Sequence, residues 1–142
     1  MSYICPLCKL QPLSHSLTKL SEKNGTIYYY TCPSQAILYY DVEGILNHYK
    51  GVLSEIPKDK EWIWIFDSLG FNLTHALQIN VAVEIAKLIT HNFSTNLKKI
   101  IIINPTFYIT MTHKVVMPFL NETIKNIIEI NYKKTTSEEV ML

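Results

Sequence analysis

WIWIFDSLGF, residues 62–71, is the stretch that decides the fold of this chain. Trp62 to Phe66 are aromatic or β-branched, residues that fit a pleated, half-buried surface, and Asp67-Ser68-Leu69-Gly70 is a turn-forming sequence. The stretch therefore predicts a strand. Trp62 and Trp64 are two apart and share one face, a core pattern first and a ligand wall second. Asp67 stands at the carboxyl end of that strand, where open α/β sheets place ligands, although capping the turn before the next helix is its simpler role. Downstream, Leu77, Val81, Ile85 and Leu88 form one helical row and Ile79, Ala82, Val83, Ala86 and Ile89 an adjacent one. Gln78, Asn80, Glu84, Lys87 and His91 take the opposite face. Lys98 and Lys99 then lead into Ile100 to Ile103, an isoleucine run typical of a strand covered on both faces, as parallel strands are. Strand, helix and strand in this order predict a right-handed crossover.

The pattern extends in both directions. Toward the N-terminus, Asp41 is placed to cap a helix carrying Ile45, Leu46, Tyr49, Val52 and Leu53 at helical spacing, with Pro57 closing the segment. Ile27 to Thr31 has strand composition after a Lys23-Asn24-Gly25 turn, and Ala36 to Tyr40 reads as a second short strand. Toward the C-terminus, Pro105 ends the isoleucine strand and Met111 to Leu120 gives a short apolar helix. A helical turn at Glu122 to Asn126 and a strand at Ile127 to Asn131 follow. The expected class is α/β, a mixed, mainly parallel sheet with right-handed βαβ crossovers and packed helices, plus a small N-terminal cysteine-containing hairpin. The expected division is a cysteine segment at 1–33, a main domain at 34–132 and a flexible tail at 133–142, which is polar apart from its tip.

Composition narrows the function. The chain has 142 residues, 48% hydrophobic and 18% charged, which suits one packed core. Its net charge is +1 and every basic residue is a lysine. The bidentate arginine contacts favoured by nucleic-acid readers are therefore absent, and no nucleic-acid partner is expected. MSYICPLCKL lacks a charged leader, and no later run approaches the ~20 apolar residues of a membrane span, so a soluble, cytoplasmic protein is expected. Without a secretory signal, the Asn-x-Ser/Thr triplets at Asn24, Asn72, Asn92 and Asn121 are chance matches in an Asn- and Thr-rich chain.

Cys5 and Cys8 form a Cys-x-x-Cys pair, which in a reducing compartment points to a metal knuckle rather than a disulfide framework. Zinc takes four tetrahedral ligands. Cys5, Cys8 and Cys32 offer three thiolates, with His15 the expected fourth ligand and His48 the alternative. A structural zinc and buried free thiols are the two readings of this set. A catalytic zinc is not expected, because no HExxH arrangement supplies a general base. No Gly-rich phosphate loop follows either strand and no Gly-x-Ser-x-Gly elbow is present, so no enzymatic activity is expected. His75, His91 and His113 are scattered singly and suit capping or solvated positions.

Three segments in order resemble the CRAL-TRIO, or Sec14-like, lipid-binding domains: WIWIFDSLGF, then NLKKIIIINPTFYI at 96–109, then MPFLNETIKNIIEI at 117–130. The first is similar to that family's strand ending in Asp before a Gly-hydrophobic turn. The second is similar to its strand followed by Asn-Pro, and the third to its Pro-Phe-Leu helix end and next strand. The resemblance implies a mixed sheet flooring an apolar cavity, with Thr106 to Leu120 as a mobile lid. Phe66, Leu69 and Phe71 would belong to the pocket, and Phe107, Tyr108, Ile109, Val115, Val116 and Phe119 to the lid's apolar surface. The same apolar residues also suit ordinary core packing. A hydrophobic small molecule or phospholipid and transient contact with a membrane surface are the implied partners. The chain departs from the family in its cysteine segment, which replaces the helical N-terminal portion, and in ending just after the last recognisable strand. A truncated domain of this kind also fits a noncatalytic interaction module, docking a protein partner or pairing as a homodimer through an open sheet edge.

Overall fold

Strand β3 (Glu61–Asp67) lies at the centre of the computed structural model, which describes residues 3–142. On one side it pairs with β2 (Thr26–Thr31) and on the other with β4 (Leu97–Ile103). β1 (Thr18–Lys23) and β5 (Ile128–Asn131) complete a five-stranded sheet of order β1-β2-β3-β4-β5. All pairs are parallel except β1 with β2, which are joined by Asn24 and Gly25, both at positive φ as a two-residue hairpin turn requires. The sheet is therefore mixed and mostly parallel; the isoleucine run points to the parallel strands, and the family resemblance implies the mixed sheet. The hairpin expected to stand apart at 1–33 instead supplies two strands of this sheet, so the sheet takes in residues on both sides of the 33/34 boundary. Its strand composition was legible, but its partner was not.

One face of the sheet carries Ile27, Tyr29, Trp62, Trp64, Ile100 and Ile102 into the main core. Helix α2 (Val42–Leu53) adds Ile45, Tyr49 and Leu53, and α4 (Ile79–Leu88) adds Val81, Ile85 and Leu88. Both indoles are satisfied: Trp64 Nε1 donates to Thr31 Oγ1 at 2.9 Å and Trp62 Nε1 to the Phe93 carbonyl at 3.1 Å. Asp41 caps α2 as its sequence position predicts, accepting a bond from Gly44 N at 3.2 Å. A Cβ at Gly44 would collide with that carboxylate and lie 3.0 Å from His15 Nε2, so glycine is what lets cap and histidine approach. Ala36 to Tyr40 is not a strand. It forms turns, bonded to the preceding loop only through Ile37 N to Leu13 O and Leu38 N to Ser14 O.

The opposite face carries Ile63, Ile65 and Ile103, with Tyr28, Tyr30 and Ile101 around them. An exposed isoleucine patch of this kind needs cover, and the C-terminus provides some. Helix α7 (Ser137–Val140) brings Val140 and Met141 against the three isoleucines, and Ile65 and Ile103 become fully buried. Lys23 Nζ donates to the Met141 carbonyl at 2.6 Å, and Thr135 exchanges bonds with Asn104 at 2.8 and 3.0 Å. The 133–142 segment is thus a packed element and not the frayed tail expected from its polarity. Changing Val140 and Met141 together to aspartate is expected to cost about 1–3 kcal/mol by uncovering this patch. Thermal unfolding followed by circular dichroism checks it; an unchanged midpoint would show that the cover contributes nothing.

Candidate functional site

After Asp67 the chain turns through Gly70, at φ 80°, into α3 (Leu73–Ala76), whose N-terminus is closed by a capping box between Asn72 and His75. Asp67 itself is fully engaged. Tyr30 Oη donates to it at 2.6 Å, Asn104 Nδ2 at 3.1 Å and Leu69 N at 3.0 Å. Burial and that carboxylate push the Tyr30 phenol well above its ordinary range. Asn104, at φ 51°, also ties the end of β4 to Thr135. Both residues therefore lock the carboxyl ends of neighbouring strands together.

The next helix past Pro105 forms one wall of a cavity. Helix α5 (Phe107–Val116) starts at Thr106, whose Oγ1 accepts from Ile109 N and donates to the Phe71 carbonyl at 2.7 Å. Its inner row, Ile109, Thr112, His113 and Val116, falls at i, i+3, i+4 and i+7 and faces the sheet across about 100 Å³ of space. Trp64, Phe66, Ile100 and Ile102 form the floor, and Ala82, Ile85 and Ala86 of α4, with Ile89 just past its end, form the side. Leu120, Ile128, Phe71 and Tyr39 close the remainder. The outer row of α5 is apolar too: Phe107, Met111 and Val115 are 72%, 45% and 44% exposed. Beyond the helix, Lys87 Nζ sits 5.3 Å from the Phe119 ring centroid, and Thr90 Oγ1 donates to the Phe119 carbonyl at 3.4 Å, joining the end of the 106–120 segment to the α4 region.

Of the residues singled out from the sequence, Phe66, Phe71, Ile109 and Val116 line this cavity. Tyr108 packs against the core outside it, while Leu69, Phe107, Val115 and Phe119 are exposed. His113 was passed over as an isolated histidine, yet its Nε2 is buried among the lining residues with no hydrogen-bond partner. Burial lowers its pKa, which favours the neutral ring. The signal was present: His113 follows Ile109 by four and precedes Val116 by three. Burial also raises the Tyr39 phenol. Thr112 Oγ1 donates to the Tyr108 carbonyl at 3.0 Å and His113 Nε2 is itself buried, so the wall presents an almost wholly apolar surface to this space.

A second cluster lies at the N-terminal end. Cys5 precedes the short helix α1 (Pro6–Leu10), which contains Cys8; His15 is in the following loop and His48 on α2. One ligand atom from each lies within 4.8 Å of all the others. Cys32 lies outside this cluster, whereas His15 and His48, the expected fourth ligand and its alternative, both lie inside it. The Cys32 backbone N does bond to Ser16, beside His15, but its Sγ turns to Ser34 Oγ at 3.3 Å and the Leu69 carbonyl at 3.6 Å. Burial raises the Cys8 thiol pKa, and burial lowers that of His48.

Comparison with known proteins agrees with this architecture. The family model of the CRAL/TRIO domain matches residues 15–141, and the chain belongs to that family. Among solved structures, the crystal structure of Sfh5 is similar, with a TM-score of 0.67 at 14% identity, over 87% of this chain and 50% of that one. At that identity the likeness is one of fold, the Sec14-like fold, and the chain spans half the length of the protein it matches. No curated protein sequence matches. Among the described residues, no helix is long and apolar enough to cross a membrane.

Proposed function

We propose that the domain binds a hydrophobic molecule, a phospholipid or a smaller apolar compound, between the sheet and α5, and does no chemistry on it. The observation that carries this is the apolar cavity whose wall, α5, is itself apolar on two sides. Membership of the CRAL/TRIO family supports the same reading. The space of about 100 Å³ is below the ~300–1,000 Å³ of typical ligand pockets, so a whole lipid requires α5 to swing outward. Each methylene then buried gains ~0.8 kcal/mol. An open α5 would present Phe107, Met111 and Val115, beside exposed Leu73 and Leu77 of the adjoining α3 region, to a membrane surface. Contact of this kind is transient and suits a cytoplasmic protein that loads at one membrane and leaves. His113 Nε2 would give the ligand's single polar contact.

Extraction of the purified protein with organic solvent, after native mass spectrometry, is expected to yield a hydrophobic compound. Phosphatidylcholine vesicles are expected to retain the parent protein and to lose a folded Phe107→Asp, Val115→Asp double variant. A protein that carries no extractable compound, takes up no fluorescent fatty acid and ignores vesicles refutes the proposal. The small volume of the cavity also favours a second reading, in which the 72% exposed Phe107 and its row dock a protein partner or a second copy of the chain. In that case the double variant would change oligomeric state or partner capture while lipid uptake stayed absent.

A further inference from the structure

We propose that Cys5, Cys8, His15 and His48 bind one zinc ion as a closed, four-ligand structural site. His15 Nδ1 is 3.5 Å from Cys5 Sγ and 3.8 Å from Cys8 Sγ, and His48 Nδ1 is 3.8 Å from Cys8 Sγ. A tetrahedral zinc with Zn–S near 2.3 Å and Zn–N near 2.0–2.1 Å sets sulfur and nitrogen ligands about 3.5 Å apart. Three of the six ligand pairs thus stand near the edge length of one coordination tetrahedron, and all six lie within 4.8 Å. A two-sulfur, two-nitrogen tetrahedron is a donor set that suits zinc.

The outer ring nitrogens point the same way. His48 Nε2 lies 3.0 Å from the Leu17 carbonyl, and a carbonyl only accepts, so the proton belongs on Nε2 and the Nδ1 lone pair faces the thiols. His15 Nε2 makes no hydrogen bond of good geometry but lies 3.5 Å from Asp41 Oδ2. Oxygen partners behind ligating imidazoles fix their tautomer and orientation in metal sites. Asp41 would then serve two purposes, capping α2 and backing a ligand.

Packing supplies an independent argument. Helix α1 has five residues and buries none of them, so neither helical propagation nor an apolar face accounts for its position. Cys5, His15 and His48, by contrast, are buried. An ion shared by α1, the following loop and α2 would join the N-terminal segment to a helix of the main core. This inference is independent of ligand binding in the α5 cavity.

Protein purified under reducing conditions is expected to hold one zinc per chain by native mass spectrometry and elemental analysis. Cobalt substitution is expected to give the intense visible bands of a tetrahedral site, with sulfur-to-metal charge transfer of two thiolates rather than three. Cys32→Ser should leave both readouts unchanged, whereas His48→Ala should lose the ion. Because His48→Ala also removes a buried side chain of α2 and so tests folding as well, the parent and Cys32→Ser proteins decide the question. Failure of the reduced parent to bind one equivalent of added zinc, or loss of the ion in Cys32→Ser, overturns the proposal.

Discussion

Replacing Trp64 by alanine is expected to destabilise the domain by about 3–5 kcal/mol, the range for deleting a large buried aromatic side chain. A marginally stable domain would largely unfold. Trp64 sits at the middle of β3, in register with Tyr29 on one neighbour and Ile100 on the other. Its ring packs edge-on against Tyr49 and Phe66, at centroid distances of 6.0 and 5.8 Å, and floors the cavity. The alanine variant would also remove the indole that now donates to Thr31 Oγ1, leaving that oxygen to the Tyr49 hydroxyl at 3.2 Å. Trp64→Phe keeps much of the packing and loses that bond, at about 1 kcal/mol for the bond itself. Urea unfolding followed by circular dichroism orders the three proteins; equal midpoints for parent and alanine variant would contradict the central place given to this side chain.

The second large effect concerns binding. Ala86 lies on α4, buried at 7% exposure, with its methyl group on the cavity. A phenylalanine there would occupy much of the space between α4, α5 and the sheet. Uptake of a fluorescent fatty acid is expected to fall by at least tenfold, or ~1.4 kcal/mol. Stability should drop by no more than the ~1–3 kcal/mol typical of overpacking, because the cavity takes part of the added volume. Ala86→Phe protein that is folded and binds as well as the parent would remove the cavity from the proposed function, whatever vesicle binding shows.

These two positions show why the sequence was readable in some places and opaque in others. β3 and β4 were legible because their apolar runs are local and strong, and α2 because Asp41 stands one residue before a helical stripe. Ala36 to Tyr40 misled because aromatic and branched residues favour strands only where a neighbour offers a ladder, and here only Leu13 and Ser14 do. The C-terminal segment misled because the residues that pack, Val140 and Met141, are two apolar side chains after a polar run, and their partners lie beyond a sheet that local pattern does not describe. In the N-terminal cluster, spacing brought out Cys5 and Cys8 but was silent on side-chain direction. Cys32 approaches with its backbone and turns its sulfur away, while His48 arrives on α2 from 40 residues beyond Cys8. The cavity wall was half legible: the apolar character of α5 was evident, but which of its two rows faces inward depends on the helix's docking angle.

The sheet order has a consequence for how the chain emerges during synthesis. Spatial order and sequence order coincide from β1 to β5, so every new strand finds its only earlier partner already made, and no strand waits for one still to come. Growth of the sheet is vectorial. Its rear cover is not: Ile63 and Ile65 are translated with β3, whereas Val140 and Met141 follow every strand of the sheet. Until residues 137–141 have been made, the sheet's second apolar face therefore lacks the side chains that pack on Ile63, Ile65 and Ile103.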